Sequence, residues 1–277
     1  MAVYPALDVH GGDGDLALAA ADDFSPTAAE VVDDTITIYF GGTELRDRAA
    51  AAVSLALPGA IVTARDVDDG DWARRSQANL AAVVVGRIIV EPGPPPVPPA
   101  ASPQSLQIVI QPSMGFGTGH HATTRLCLTA LQRLTLEGRT VLDVGTGSGI
   151  LAIAARALGA RQALGIDCDP DAIRSARDNL ELNPGIDAVS FEIRDLSPGG
   201  LPVVDVVAAN LTGALLCRTA TTLADLVAPA GHLILSGVLA GERDAVVAAF
   251  AGLDLSWEAS EGEWVGLCFN RSSHDTV

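Results

Sequence analysis

The chain has 277 residues, of which 48% are hydrophobic, 18% charged and only 4% aromatic. The core must therefore be built from Ala, Val, Leu and Ile, and the length suits one large α/β domain with a smaller companion. The 17 basic residues are all Arg and the formal charge is −17, which excludes P-loop, Schiff-base and general-base lysines and argues against a nucleic-acid binder, which needs a basic face.

Residues 1–34 hold eight acids and no basic residue, which reads as a weakly structured start. The stretch after Met1 has neither a basic nor an apolar run, so no signal peptide is expected. Thr35–Phe40 reads as a strand, Glu44–Leu57 as an alanine-rich helix and Ala60–Arg65 as another strand. This β-α-β piece fits a small, acidic, partly degenerate α+β module over 1–75. The remainder, 76–277, forms the second domain. Its first strands, Val83–Val90 and Leu106–Ile110, flank a run of prolines from Pro92 to Pro99. That run reads as a stiff spacer, with a ligand for a proline-binding module as the alternative.

From Thr123 onward, strands and helices alternate. Helix Thr123–Leu134, strand Thr140–Val144, helix Ile150–Leu158, strand Ala163–Ile166, helix Pro170–Glu181 and strand Val189–Ile193 come first. Strand Val203–Ala209, helix Ala214–Val227, strand His232–Ser236 and helix Glu242–Phe250 follow. Leu253–Ala259 and Trp264–Asn270 close the chain with no helix between them. The pattern predicts an α/β fold, a doubly wound, Rossmann-like and mostly parallel sheet with an antiparallel hairpin at its edge. Cys127, Cys168, Cys217 and Cys268 form no CxxC pair, so no metal site is expected. No run approaches the ~18 apolar residues of a membrane span. A cytoplasmic protein is expected.

The chemistry concentrates at Asp143-Val144-Gly145-Thr146-Gly147-Ser148-Gly149-Ile150, between a strand and a helix. Glycines there let a ligand approach the backbone. Ile150 stands where a dinucleotide fingerprint wants Gly, which weakens a nicotinamide or flavin reading. Asp143 suits a cofactor with a cationic amino-acid tail. Asp167, at the end of the next strand, can accept two ribose hydroxyl protons. Together these indicate an S-adenosyl-methionine site. Asp195 reads either as an adenine contact or as part of a plain turn. Asn210, at the end of the fourth strand of this set, stands at the crevice where methyl donor meets acceptor, with a helix N-cap as the competing reading.

Upstream, Phe116-Gly117-Thr118-Gly119-His120-His121-Ala122-Thr123-Thr124 resembles the FGTGxHxTT element of the ribosomal protein L11 methyltransferase family. The resemblance continues through LDVGTGSGILAIAA, GIDCDPDAIRSARDNLELN, ANLTGALL, LILSGVL and Glu263-Trp264, covering about 83–270. It implies that Thr124, Gly145, Asp167 and Asn210 contact S-adenosyl-L-methionine; the reading of the turn and strand ends adds Gly147 and Asp143 to the cofactor site and gives Asn210 the catalytic role. It also implies that the FGTG loop with His121 closes over the cofactor, although two loop histidines can equally be surface residues. The segment around TITIYF and AIVTAR looks like the latter half of the family's small substrate-recognition domain. Where the family shows a second Trp and a Phe-His-Pro group, this chain has Ser76, Leu80, Ala81 and Ala82.

The expected activity is methylation of protein amines, lysine or N-terminal, on a partner such as a ribosomal protein. The enzyme is expected as a monomer with no nucleic-acid or membrane partner. A small-molecule methyltransferase and a non-enzymatic S-adenosyl-methionine-binding module remain as alternatives.

Overall fold

The computed structural model describes residues 3–12, 14–21, 24, 26–32, 35–68, 81–93, 105–111, 121–197 and 199–273. The chain divides into two compact units, Met1–Ala78 and Asn79–Val277. Most of the proline run, Trp72 and the FGTG element lie outside the described residues.

The smaller unit runs β1 (Val3–His10), α1 (Gly14–Ala21), β2 (Pro26–Val32), β3 (Thr35–Phe40), α2 (Thr43–Ala56) and β4 (Ile61–Asp68). Its sheet has the order β2-β3-β1-β4, with every pair antiparallel, a ferredoxin-like arrangement. Over the described residues this corrects the reading of 1–34 as weakly structured, with β1, α1 and β2 in its place. Alternation decides the matter: Leu7 and Val9 on β1 join Ile36, Ile38 and Phe40 on β3 against Ala17, Ala21, Ala49 and Val53 of the two helices. The acid between them, Asp8, is matched on the opposite face. Its carboxylate accepts Thr37 Oγ1 at 2.7 Å and Arg65 Nε at 2.5 Å.

The larger unit opens with β5 (Val83–Val85), β6 (Ile88–Glu91) and β7 (Leu106–Val109), a three-stranded sheet of order β5-β6-β7. The single strand expected over Val83–Val90 is therefore a hairpin. Gly86 turns it with φ +56°, and the Gln132 amide clamps it by accepting Arg87 N–H at 2.8 Å and donating to Val85 O at 2.9 Å. Strand β7 is held along its backbone by a side chain, with Asn183 accepting Val109 N–H at 2.9 Å and donating to Val109 O at 2.8 Å.

Next come α3 (Ala122–Gln132), β8 (Thr140–Val144), α4 (Ile150–Ala157), β9 (Gln162–Asp167), α5 (Pro170–Glu181) and β10 (Val189–Ile193). They are followed by β11 (Val204–Asn210), α6 (Gly213–Asp225), β12 (Val227–Leu239), α7 (Arg243–Ala249), β13 (Asp254–Glu261) and β14 (Trp264–Asn270). The seven-stranded sheet has the order β10-β9-β8-β11-β12-β14-β13. It is parallel from β10 to β12, and β14 then runs antiparallel between β12 and β13.

Its central strands are apolar on both faces, as a covered parallel sheet requires. Val206 and Ala208 of β11 enter one core cluster with α4, while Val207 and Ala209 enter the other with Leu216 and Leu223 of α6. Helix α5 starts where Asp169 caps it, accepting Asp171 N–H at 2.9 Å, with Pro170 in the first turn. Strand β12 exceeds its expected span at both ends, shifting register between Leu235 and Val238 beside Gly237 (φ +80°). Among the described residues, no helix is long and apolar enough to cross a membrane.

Candidate active site

The strand order reverses between β8 and β11, and a doubly wound sheet opens a crevice beyond the carboxyl ends of the strands at such a point. Three sequence-predicted elements arrive there: the glycine turn after β8, Asp167 at the end of β9, and Asn210 at the end of β11.

The turn needs its glycines for two reasons. Gly145, Gly147 and Gly149 have φ of +70°, +52° and +82°, a region costly for residues with a Cβ. There is also no room. A Cβ on Gly145 would stand 2.5 Å from Leu211 Cδ2, and one on Gly149 would stand 2.7 Å from Phe191 Cζ. The turn docks on β9, where Ile166 O accepts the N–H groups of Gly145 and Thr146, both at 2.9 Å. Gly147 N–H donates to Asp167 Oδ2 at 3.1 Å, and Asp169 N–H donates to Asp167 Oδ1 at 3.0 Å. Both oxygens of Asp167 are thereby aimed by backbone donors, and the residue is only half-buried.

Asp143 sits underneath, 1% exposed. Its Oδ2 accepts Thr146 Oγ1 at 2.6 Å and Ala152 N–H, in the first turn of α4, at 3.3 Å. Burial pushes its carboxyl up to about 7, and the charge of Asp167 adds to the rise, while the two hydrogen bonds act against it. The same burial, with the charge of Asp143 nearby, pushes up the Cys127 thiol on α3.

Asn210 donates from Nδ2 to Thr123 Oγ1 at 3.2 Å. Its neighbour Leu211 is pinned through N–H to Ser236 O at 3.1 Å. Gly237 packs flat against that peptide, since a Cβ there would fall 2.3 Å from Leu211 O. Thr124 is buried in the first turn of α3, its N–H bonded to His121 O at 3.1 Å. His121 caps that helix and meets the edge of Trp264, with ring centroids 4.9 Å apart. Asp195 is exposed.

Sequence reasoning named Thr124 and passed over Thr123, which carries the contact to Asn210. It also missed Leu211, Ser236 and Gly237 as supports of the Asn210 peptide. The spacing His121-x-Thr123 at a helix start is the signal that could have found Thr123. The supports on β12 had none, because they depend on a strand pairing. Among the described residues, no group of His, Cys, Asp and Glu gathers as a metal site.

A sheet of this order, with its last strand but one inserted antiparallel and a glycine turn after the switch-point strand, defines the Rossmann-like methyltransferase class. Residues 7–272 match the ribosomal protein L11 methyltransferase (PrmA) family. The chain belongs to that family and is a methyltransferase. A ribosomal protein L11 methyltransferase of Burkholderia ambifaria is 42% identical over 214 residues, 76% of this chain and 69% of its own length. That of Burkholderia lata is 42% identical over 216 residues. The crystal structure of ribosomal protein L11 methylase from Lactobacillus delbrueckii subsp. bulgaricus superposes with a TM-score of 0.64 at 28% identity, covering 70% of this chain and 100% of that one.

Proposed function

We propose that the enzyme transfers the methyl group of S-adenosyl-methionine to lysine or N-terminal amino groups of ribosomal protein L11, acting as a cytoplasmic monomer. The observation that carries this reading is the convergence of the glycine turn, Asp167 and Asn210 on one crevice. The residues suit that cofactor. Bare backbone at Gly145 and Gly147 allows close approach, and the aimed carboxylate of Asp167 suits paired ribose hydroxyls. Thr124 lies in the first turn of α3, next to the Thr123 that Asn210 contacts. An ammonium bound across the turn would favour the ionised form of the buried Asp143 carboxyl, which by itself keeps its proton to about pH 7.

S-adenosyl-methionine supplies an already electrophilic methyl group, so the work left to the chain is alignment and proton control. Asn210, with Nδ2 committed to Thr123, offers its Oδ1 to an N–H of the acceptor amine and so turns the nitrogen lone pair toward the donor. A lysine acceptor, with a reference pKa of about 10.4, must first lose a proton, and desolvation in a closed crevice favours that loss. The acidic smaller unit, read as 1–75, serves to attract a basic protein. Residues 1–100 carry 15 acids against six Arg, while 101–277 carry 19 against 11.

The test is incubation with methyl-labelled S-adenosyl-methionine and purified ribosomal proteins, followed by mass-spectrometric mapping. Label on amines of L11 is expected. Label confined to low-mass products would move the acceptor to a small molecule. Asp167→Ala should abolish cofactor binding by calorimetry, and an unchanged affinity would sink the site assignment.

A further inference from the structure

We infer that Thr123, backed by His121, is a positioning residue that fixes which end of the Asn210 amide faces the acceptor amine. The inference rests on the reading of Asn210 given above. An asparagine amide is close to symmetric in shape, yet one end accepts hydrogen bonds and the other donates them. Turned the wrong way, Asn210 would present N–H to the amine and compete for the lone pair that must attack the methyl group.

The hydrogen-bond network settles the direction from an unambiguous donor inward. Asn210 Nδ2 lies 3.2 Å from Thr123 Oγ1. A hydroxyl can donate or accept, so this contact alone decides nothing. Thr123 Oγ1 lies 2.8 Å from His121 Nδ1, and a ring nitrogen is equally ambivalent. The ambiguity ends at the backbone N–H of Thr123, which can only donate and which points at the same Nδ1 at 3.4 Å. That bond is long, but its direction is what matters. Nδ1 is therefore the acceptor nitrogen of His121, and the Thr123 hydroxyl donates to it. The Oγ1 lone pairs then receive Nδ2, leaving Oδ1 as the end of the amide turned away from Thr123.

Two features keep the chain of bonds rigid. Thr123 is 4% exposed, so water has little access to its hydroxyl. Trp264 packs against the His121 ring in a T-shaped contact. The helix cap of α3 thus carries directional information from a peptide N–H, through an imidazole and a hydroxyl, to the amide at the end of β11.

Thr123→Val removes the hydroxyl and keeps the branched shape. With recombinant L11 and labelled S-adenosyl-methionine, kcat should fall about tenfold. KM for both substrates and the calorimetric affinity for S-adenosyl-methionine should stay within about twofold. Thr123→Ser should restore most of kcat, which separates the hydroxyl from a packing effect. In an Asn210→Ala background, Thr123→Val should cost nothing further.

Full kcat in Thr123→Val would overturn the inference. So would a matching loss of cofactor affinity, or an undiminished effect in the Asn210→Ala background. An Asn210→Ala enzyme that methylates L11 at the parent rate would instead remove the reading of Asn210 itself. A slow Asn210→Ala enzyme beside an unaffected Thr123→Val enzyme would remove only the positioning role.

Discussion

Replacing Asp143 by Asn probes the carboxyl buried under the glycine turn. Its ordinary value of 3.8 is raised to about 7, chiefly by burial. The native protein therefore keeps this proton to about pH 7, while the unfolded chain releases it near 4. A raised folded-state value gives stability that is complete below the unfolded value and is lost as pH rises through the folded one. The slope is about 1.4 kcal/mol per pH unit, so the loss between pH 5 and pH 8.5 is about 3 kcal/mol. An Asn side chain keeps an oxygen for Thr146 and for Ala152 N–H and does not ionise. The Asp143→Asn variant should therefore gain about 3 kcal/mol on the parent over that range, most of it below pH 7 and levelling off above it. Urea denaturation at fixed pH values, followed through the fluorescence of Trp257 and Trp264, measures this difference. Taking variant minus parent cancels the other titrating groups. A difference that stays flat with pH would refute the reasoning.

Gly149→Ala combines a left-handed φ of +82° with a methyl group 2.7 Å from Phe191 Cζ and 3.0 Å from Ala176 Cβ. Strain of about 1–2 kcal/mol and overpacking of about 1–3 kcal/mol should appear together in urea denaturation, and an unchanged midpoint would contradict the packing described. Gly237→Ala acts on the site from behind by pushing the Leu211 peptide and Asn210 with it. It should lower kcat about tenfold while leaving S-adenosyl-methionine affinity within a few-fold, as steady-state kinetics and calorimetry would record.

The larger unit was legible because its signals are local. Pro170–Glu181, Val189–Ile193 and Trp264–Asn270 have the bounds that their caps and apolar runs indicate. The glycine turn betrays itself by spacing alone. The smaller unit was harder to read, because β1 contains Pro5 and Asp8 and lies in an acidic stretch. Its strand character is decided by a partner, Arg65, 57 residues away. The same holds at the site. Asn210 stands out in sequence as a polar residue ending an apolar strand, but its supports at Ser236 and Gly237 acquire meaning only once β12 pairs beside β11. The Thr123 contact likewise spans 87 residues.

The buried cluster of the smaller unit draws every member from its own residues, Leu7 through Val53, with the helices and sheet of that unit closing on themselves. A substitution in that cluster is therefore answered by side chains of the same unit.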